Sequence, residues 1–226
     1  MKSAFALMIL LLSLAQVAIA EEDDLLLEDP VQLGHQAYVS GEFQRALKLW
    51  TPLAEQGIAQ AQFFLSNLYA RGEGVEADPV AALSWLTRAA KGGYAPAQFN
   101  LGNRFYQGLW VNKDLTEARQ WWLKAVEQGL SQAAYNLAGL HYQGAGVEKN
   151  LAQALHWYRR AAEAGSIEAK VVLAKLDEGA ESLPLAQPIA PQPTQPATTG
   201  AVKTQPKKPV VVGTPEESAA WIKEQA

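Results

Sequence analysis

Histidine is the side chain with the most versatile chemistry in this sequence, and it occurs as His35, His141 and His156. None of the three has a carboxylate at metal-ligand spacing beside it, and the chain contains no cysteine. The sequence also lacks a nucleophile elbow, a phosphate loop and a Ser/His/Asp set on a framework that would hold it. It therefore predicts no catalytic residue, no metal site and no cofactor.

Aromatic and amide side chains offer binding chemistry instead, because rings flanked by amides can hold an extended peptide or stack on sugar rings. Phe63, Phe99 and Tyr135 recur at one interval, and Tyr106 and Tyr142 are separated by the same interval. The residues predicted to contact a partner are Phe63, Asn67, Phe99, Asn103, Tyr106, Trp110, Tyr135 and Tyr142. The alternative is that these rings only pack against the next unit.

The interval is 36 residues, and it runs through most of the chain. The residues that keep it include Ala61, Ala97, Ala133 and Ala169, the glycines Gly72, Gly108 and Gly144, and the tryptophans Trp85, Trp121 and Trp157. A fixed period of this size is typical of a solenoid of stacked units. The fold is thus indicated before any single helix is considered.

Each unit predicts two helices, which we call helix A and helix B. Ala61 and Leu65 are four residues apart, and Ala82, Trp85 and Ala89 are three and four apart, so each set forms one helical stripe. We expect the alanines to let helices approach closely, and Leu65 and Trp85 to fill the space between neighbours.

Turn and capping residues separate the predicted helices. Gly72 is expected to end helix A in a left-handed conformation, and Gly93 to do the same for helix B. Asp78, Asp114 and Asn150 stand at the N-cap of helix B in successive units. The predicted solenoid covers residues 30–180, with units at 30–58, 59–94, 95–130 and 131–166 and a capping helix at 167–178.

The run AQFNLGNRFYQG at residues 97–108, followed by Val111, Asp114, Trp121 and Gly129, closely resembles the Sel-one-like repeat (SLR) family, a relative of the tetratricopeptide repeat. The resemblance implies an all-α, right-handed α-solenoid of about four and a half units, with helix A lining a concave face. It also implies that the protein is an adaptor, since bacterial members typically assemble envelope, secretion or signalling complexes.

Two parts of the sequence depart from the family pattern. The first unit has a shorter loop and is more similar to a tetratricopeptide unit. Trp110 stands where Gly74 and Gly146 supply the second glycine of the loop, so a positive-φ turn would be strained there. An exposed indole in this loop is expected either to pack locally or to meet a partner.

The N-terminus has the features of a cleavable secretory signal. Lys2 precedes an apolar run, and small residues in residues 18–20 predict cleavage between Ala20 and Glu21. Without a cysteine at the cleavage point no lipid anchor is expected. The mature protein is expected to begin with an acidic segment, residues 21–29, and to be periplasmic.

Composition excludes several partner classes. The chain carries a formal net charge of −4 and shows no basic stripe, so nucleic acid and anionic membrane surfaces are poor partners. After the signal, no segment approaches the ~20 apolar residues of a membrane span.

The sequence changes character after the repeats. Eight of the 12 prolines lie in residues 184–215, so residues 181–213 are expected to form a disordered linker. Thr214, Pro215 and Glu217 then provide helix-starting signals for a short helix in residues 214–226. Trp221 and the four residues after it are weakly similar to the approach to a SPOR module, whose own residues are missing. The segment is either a docking peptide or the mark of a shortened relative of a longer protein.

These observations predict a non-catalytic periplasmic adaptor that binds envelope proteins or peptide segments through its concave face. A protein that binds peptidoglycan or exopolysaccharide through the aromatic columns is the alternative. An enzyme is a distant third.

Overall fold

The structure, a computed structural model, describes residues 29–177. This part of the chain contains nine α-helices and no β-strand: α1 (Pro30–Val39), α2 (Phe43–Glu55), α3 (Ala59–Arg71), α4 (Pro79–Lys91), α5 (Ala95–Gln107), α6 (Leu115–Glu127), α7 (Ser131–Gln143), α8 (Leu151–Glu163) and α9 (Ile167–Asp177). The predicted all-α repeat fold is confirmed. The expected signal, most of the acidic segment, the linker and the C-terminal segment lie outside the described residues.

The helices pack in chain order, each against the next, which produces a stacked array of helical hairpins. Helix A and helix B of the four hairpins are α1/α2, α3/α4, α5/α6 and α7/α8, and α9 stands in the helix A position of a fifth. The loop between α1 and α2 is only three residues, 40–42, against seven between α3 and α4, residues 72–78. This difference accounts for the irregular first unit.

The predicted capping residues start the B helices as expected. The Asp78 carboxylate accepts hydrogen bonds from the Val80 and Ala81 backbone N–H groups, at 2.9 and 3.0 Å. Asp114 and Asn150 cap α6 and α8 in the same way. These side chains satisfy N–H groups that have no partner within the helix.

The A helices end in left-handed glycines, at Gly72 (φ 69°), Gly108 (φ 68°) and Gly144 (φ 73°). The second glycine of the loop has a further role. A Cβ placed on Gly74 would lie 2.6 Å from the Phe43 carbonyl carbon, at the start of the preceding helix B. Glycine at Gly74 and at Gly146 lets these two loops rest on the hairpin before them.

The core of each hairpin is a large side chain of helix B set against a small residue of helix A. The large residues, 36 apart, are Trp50, Leu86, Trp122 and Tyr158, and each is at most 4% exposed. Gly34 faces Trp50 and Gly102 faces Trp122, and the equivalent small residues of the other two hairpins are Ser66 and Ala138. Both indole N–H groups in the column are satisfied: Trp50 Nε1 donates to the Val31 carbonyl at 3.1 Å, and Trp122 Nε1 donates to Asn103 Oδ1 at 3.1 Å.

Trp85, which was expected to fill the space between neighbours, packs against the core but is only half-buried, whereas the adjacent Leu86 is 4% exposed. Each member of the Trp85 column lies beneath a cation three residues later, and Arg88 Cζ is 4.3 Å from the centroid of the Trp85 ring. Lys124 and Arg160 cover the next two indoles at 4.1 and 5.5 Å.

Buried glutamines connect one hairpin to the next. Gln62 Nε2 donates to the Ala54 carbonyl oxygen at 2.9 Å, and Gln98 Nε2 donates to the Ala90 carbonyl oxygen at 3.3 Å. Each of these carbonyls lies in the last turn of helix B and also accepts a hydrogen bond from the backbone N–H of a glycine that follows, Gly57 at 3.0 Å and Gly93 at 3.1 Å. The glutamines therefore stabilise the junction between units as well as the helix end.

None of the described helices is both long enough and apolar enough to cross a lipid bilayer.

Candidate partner-binding site

The C-terminal turns of the A helices and the loops that follow them form one side of the stack, which we call the loop edge. Trp110 has a positive φ of 68°, and every other described residue with a positive φ is a glycine. It adopts the conformation of Gly74 (φ 73°) and Gly146 (φ 69°), although the sequence indicated that such a turn would be strained there. For a residue with a Cβ, the left-handed backbone conformation is less favourable by about 1 kcal/mol. Trp110 is therefore a strained residue.

The Trp110 indole covers a guanidinium group. Arg104 Cζ lies 3.8 Å from the centroid of the Trp110 ring, which is a close cation–π contact. Arg104 Nε is buried and has no hydrogen-bond partner among the described residues. Burial lowers the pKa of Arg104 to about 10, so the group is still charged at neutral pH.

Arg104 is itself a departure from the repeat. Its equivalents 36 residues before and after are Leu68 and Leu140, which are 0% and 2% exposed. The third hairpin therefore replaces a core leucine by arginine and a loop glycine by tryptophan, and the two replacements contact each other. Arg104 was not among the predicted site residues, although the 36-residue interval shows it.

Tyrosines continue the loop edge on either side of this pair. Tyr106 and Tyr142 are half-buried, and Lys113 Nζ and Lys149 Nζ lie 5.6 and 5.9 Å from the centroids of their rings. The Tyr106 ring also packs against Trp122, with centroids 5.5 Å apart. Each tyrosine is thus held between the core and a lysine that reaches solvent.

The first hairpin adds a third tyrosine, which the irregular register concealed. Tyr38 precedes the last residue of α1, as Tyr106 does in α5. Its hydroxyl donates to Glu73 Oε2 and accepts from Arg71, both at 3.0 Å. Burial raises the pKa of Tyr38, although the Arg71 charge opposes that shift.

The other predicted aromatic column is not on the surface. Phe63, Phe99 and Tyr135 are 1%, 4% and 8% exposed. The Phe63 ring packs against Tyr94, the N-cap residue of α5, with ring centroids 5.2 Å apart, and the Tyr135 ring packs against Tyr158 at 5.4 Å. These side chains fill the seams between helices, so the structure removes them from the contact surface expected for them.

Of the two asparagines predicted to contact a partner, one is buried and the other is partly exposed. Asn103 is 1% exposed, and its Oδ1 accepts hydrogen bonds from Trp122 Nε1 and Asn136 Nδ2, both at 3.1 Å. It is a structural residue of the core, contrary to the expectation of partner contact. Asn67 is half-buried. Of the eight predicted contact residues, Asn67, Tyr106, Trp110 and Tyr142 retain exposed surface.

His35, His141 and His156 lie on three different helices, α1, α7 and α8. His141 is half-buried, and burial together with the positive charge of Arg119 lowers its pKa. His156 is exposed and packs edge-on against Trp157. Within residues 29–177, no three His, Cys, Asp or Glu side chains are grouped so as to hold a metal ion.

The fold of the described residues is an α-solenoid built from helical hairpins. The model of the Sel1 repeat family matches residues 59–94, 95–130 and 131–166, which are the second, third and fourth hairpins. Residues 59–166 are therefore three repeats of the Sel1-like repeat (SLR) family. Proteins built from these repeats generally act as protein-interaction scaffolds.

Two solved structures are similar to this chain. A Sel1 repeat protein from Oxalobacter formigenes is 35% identical with a TM-score of 0.60, over 66% of this chain and 62% of that one. A protective antigen of uropathogenic Escherichia coli with an SLR fold is 33% identical with a TM-score of 0.60, over 68% of this chain and 34% of that one. The chain thus spans less than two thirds of either structure. No protein with a curated description matches the sequence.

Proposed function

We propose that this protein is a non-catalytic adaptor of the bacterial cell envelope, exported to the periplasm and binding protein partners through its loop edge. The secretory features of residues 1–20 support export. The repeat family supports the scaffold role. The loop edge replaces the concave aromatic column as the proposed surface, because most of that column is buried.

One observation carries the proposal: Trp110 is held at a φ of 68° over the Arg104 guanidinium. Strained backbone persists where surrounding structure enforces it, and it is concentrated at functional sites. Tryptophan, tyrosine and arginine are also the residues most enriched in the energetic centres of protein interfaces. Trp110, Arg104 and Tyr106 supply all three types within one hairpin.

The array suits an adaptor because its surface repeats at regular spacing. Tyr106 with Lys113 is followed 36 residues later by Tyr142 with Lys149, so a partner can make the same kind of contact on successive hairpins. Rigid repeats hold these contacts in register before binding, which reduces the entropy lost on association.

A peptidoglycan or exopolysaccharide partner is the second candidate. The two tyrosine–lysine pairs favour it, because an aromatic face beside an amine can stack on a sugar ring and attract an acidic group. The proposed experiment separates the two candidates.

The test is quantitative capture of partners by the chain from Glu21 onward, with envelope extract and with purified sacculi as separate arms. Trp110→Gly restores the residue of the other loops and removes the indole. Trp85→Ala is the matched control, since it removes a half-buried indole that also lies beneath an arginine, 4.3 Å from its ring. The adaptor proposal expects specific envelope proteins to be lost with Trp110→Gly and with Tyr106→Ala, and kept with Trp85→Ala.

Retention on sacculi free of other proteins, with no protein captured, would favour the polysaccharide alternative. Equal capture by Trp110→Gly and the unmodified chain would refute the loop edge as the site. Cell fractionation, together with mass spectrometry of the N-terminus, tests export. A cytoplasmic protein that retains residues 1–20 would contradict it.

A further inference from the structure

The last described helix exposes the face that every earlier A helix buries. Val171 of α9 is equivalent to Phe63, Phe99 and Tyr135, which are at most 8% exposed, yet Val171 is 48% exposed. Ala174 is equivalent to Ser66, Gly102 and Ala138, all of which are buried, and it too is exposed. Within residues 29–177, α9 therefore has an uncovered helix B position.

In the other hairpins the large residue of helix B stands at the position that covers this face. The large residue of helix B lies against the small residue of helix A, so closely that a Cβ on Gly34 would overlap the Trp50 ring and one on Gly102 would lie 2.6 Å from the Trp122 ring. Ala174 is already a suitable small residue for such a contact. What α9 lacks is a helix that brings a large apolar residue to it.

The sequence of residues 214–226 has the same spacing of capping and apolar residues as the B helices. In α4 the N-cap Asp78 is followed at once by Pro79 and seven residues later by Trp85, and the same seven residues separate Asp114 from Trp121. In the C-terminal segment Thr214 is followed at once by Pro215 and seven residues later by Trp221.

This register aligns further positions. Ile222 falls in the large-residue column of Leu86 and Trp122, and Ser218 falls in the column of the small, fully buried Ala82 and Ala118. The last turn matches less well, because Gln225 falls in the buried alanine column of Ala89, Ala125 and Ala161.

We propose that residues 214–226 dock on α9 as the missing helix B and complete a fifth hairpin, with Ile222 against Ala174 and Val171. Residues 178–213 then form an enlarged A–B loop in place of the usual seven residues. They are more than long enough to span the distance, and the entropic cost of closing a loop rises only slowly with its length. The proposal is independent of the partner-binding role argued above.

The absence of cysteine from the chain makes a direct test possible. In the chain from Glu21 onward, Ala174→Cys combined with Ile222→Cys should oxidise to an intramolecular disulfide. The control pairs Ala174→Cys with Thr199→Cys, which is closer along the sequence but lies in the linker. We expect the Ile222 pair to form at least tenfold faster under mild oxidation. Equal rates would overturn the proposal, because they would show a freely tethered segment.

Other occupants give different products. A disulfide-linked dimer whose yield rises with protein concentration would show that a second copy covers α9, and would also overturn the proposal. A second measurement uses no new thiols: Ile222→Asp should accelerate amide exchange in α9 at least several-fold and leave α4 unchanged. Thr199→Asp is its control and should change neither helix. Unchanged exchange in α9 on Ile222→Asp would contradict docking.

Discussion

Gly102 lies directly against the indole of Trp122: a Cβ placed on Gly102 would be 2.6 Å from both Cδ1 and Nε1 of that ring. The hairpin α5/α6 therefore closes around a side chain that leaves no room for a methyl group. The same relationship holds between Gly34 and Trp50 in the first hairpin. Where helix B supplies the smaller Leu86 or Tyr158, helix A carries Ser66 or Ala138 in place of glycine.

Gly102→Ala is expected to destabilise the protein. Overpacking a tight contact costs about 1–3 kcal/mol, whereas alanine in place of glycine within a helix returns about 1 kcal/mol. We expect a net loss in the free energy of unfolding measured by urea denaturation. Gln107→Ala, at an exposed site of the same helix, is the control and should change stability by less than about 0.5 kcal/mol. A Gly102→Ala protein as stable as the unmodified chain would show that the indole can move aside.

The sequence predicted the helices and their ends well because these depend on local signals. The left-handed Gly72 and the Asp78 cap each act within a few residues, and the 36-residue interval repeats such signals along the chain. The structure confirms these features. The interval also marks Arg104 and Trp110 as departures. It does not show that they touch, because their contact depends on the course of the loop backbone after Gly108.

Burial was harder to predict than helix position. Trp85, Trp121 and Trp157 keep their residue type in the second, third and fourth units, yet they are half-buried. The adjacent column varies in type, from Leu86 to Trp122, and is the more deeply buried one. A repeat position that keeps one residue type is therefore not always more buried than a position that varies. A varying position can be deeply buried when each large residue of helix B faces a residue of helix A that is small enough.

The strain at Trp110 can be isolated by comparing two substitutions. Trp110→Gly and Trp110→Ala both remove the indole and its contact with Arg104, but only alanine retains a Cβ in left-handed backbone. The glycine variant should therefore be more stable than the alanine variant by about 1 kcal/mol. Urea denaturation of both variants provides the measurement. The same pair of substitutions at Gln107, in ordinary helical backbone, should show the opposite order. An alanine variant as stable as the glycine variant would mean that the loop relaxes to negative φ once the indole is gone.

Arg104→Leu should increase stability, since it restores the residue of Leu68 and Leu140 and removes a charge whose Nε is buried without a partner among the described residues. Replacement of buried charged groups by apolar residues of similar volume often gains about 1–4 kcal/mol, and loss of the contact with Trp110 reduces that gain. We expect about 1 kcal/mol in urea denaturation. Arg88→Leu is the control, because Arg88 also lies over an indole but is exposed. It should have little effect. If Arg104→Leu were both destabilising and able to bind partners normally, the arginine would be a structural residue and not part of the site.

Tyr158 makes the fold sensitive to alkaline pH. Its side chain is 0% exposed, and its hydroxyl has no hydrogen-bond partner among the described residues. Burial raises the pKa of Tyr158 well above the ordinary value of 10.0, and the neighbouring Tyr135 and Tyr142 add to the shift. Because the folded-state pKa is the higher one, the neutral hydroxyl favours folding fully below pH 10, and this contribution is lost as the pH rises from 10 towards the folded-state pKa.

Tyr158→Phe removes that ionisation without changing the ring. At pH 7 the variant should match the unmodified chain or be slightly more stable, and at pH 11 its relative stability should be greater by about 1.4 kcal/mol. Urea denaturation at the two pH values measures the difference. Leu86→Ala, in the same buried column, is the control: it should lower stability by the same amount at both pH values, because Leu86 does not titrate. If the Tyr158→Phe difference were also independent of pH, the hydroxyl would have to reach water or a partner when it ionises, and the tight packing of α7 against α8 would have to open at that point.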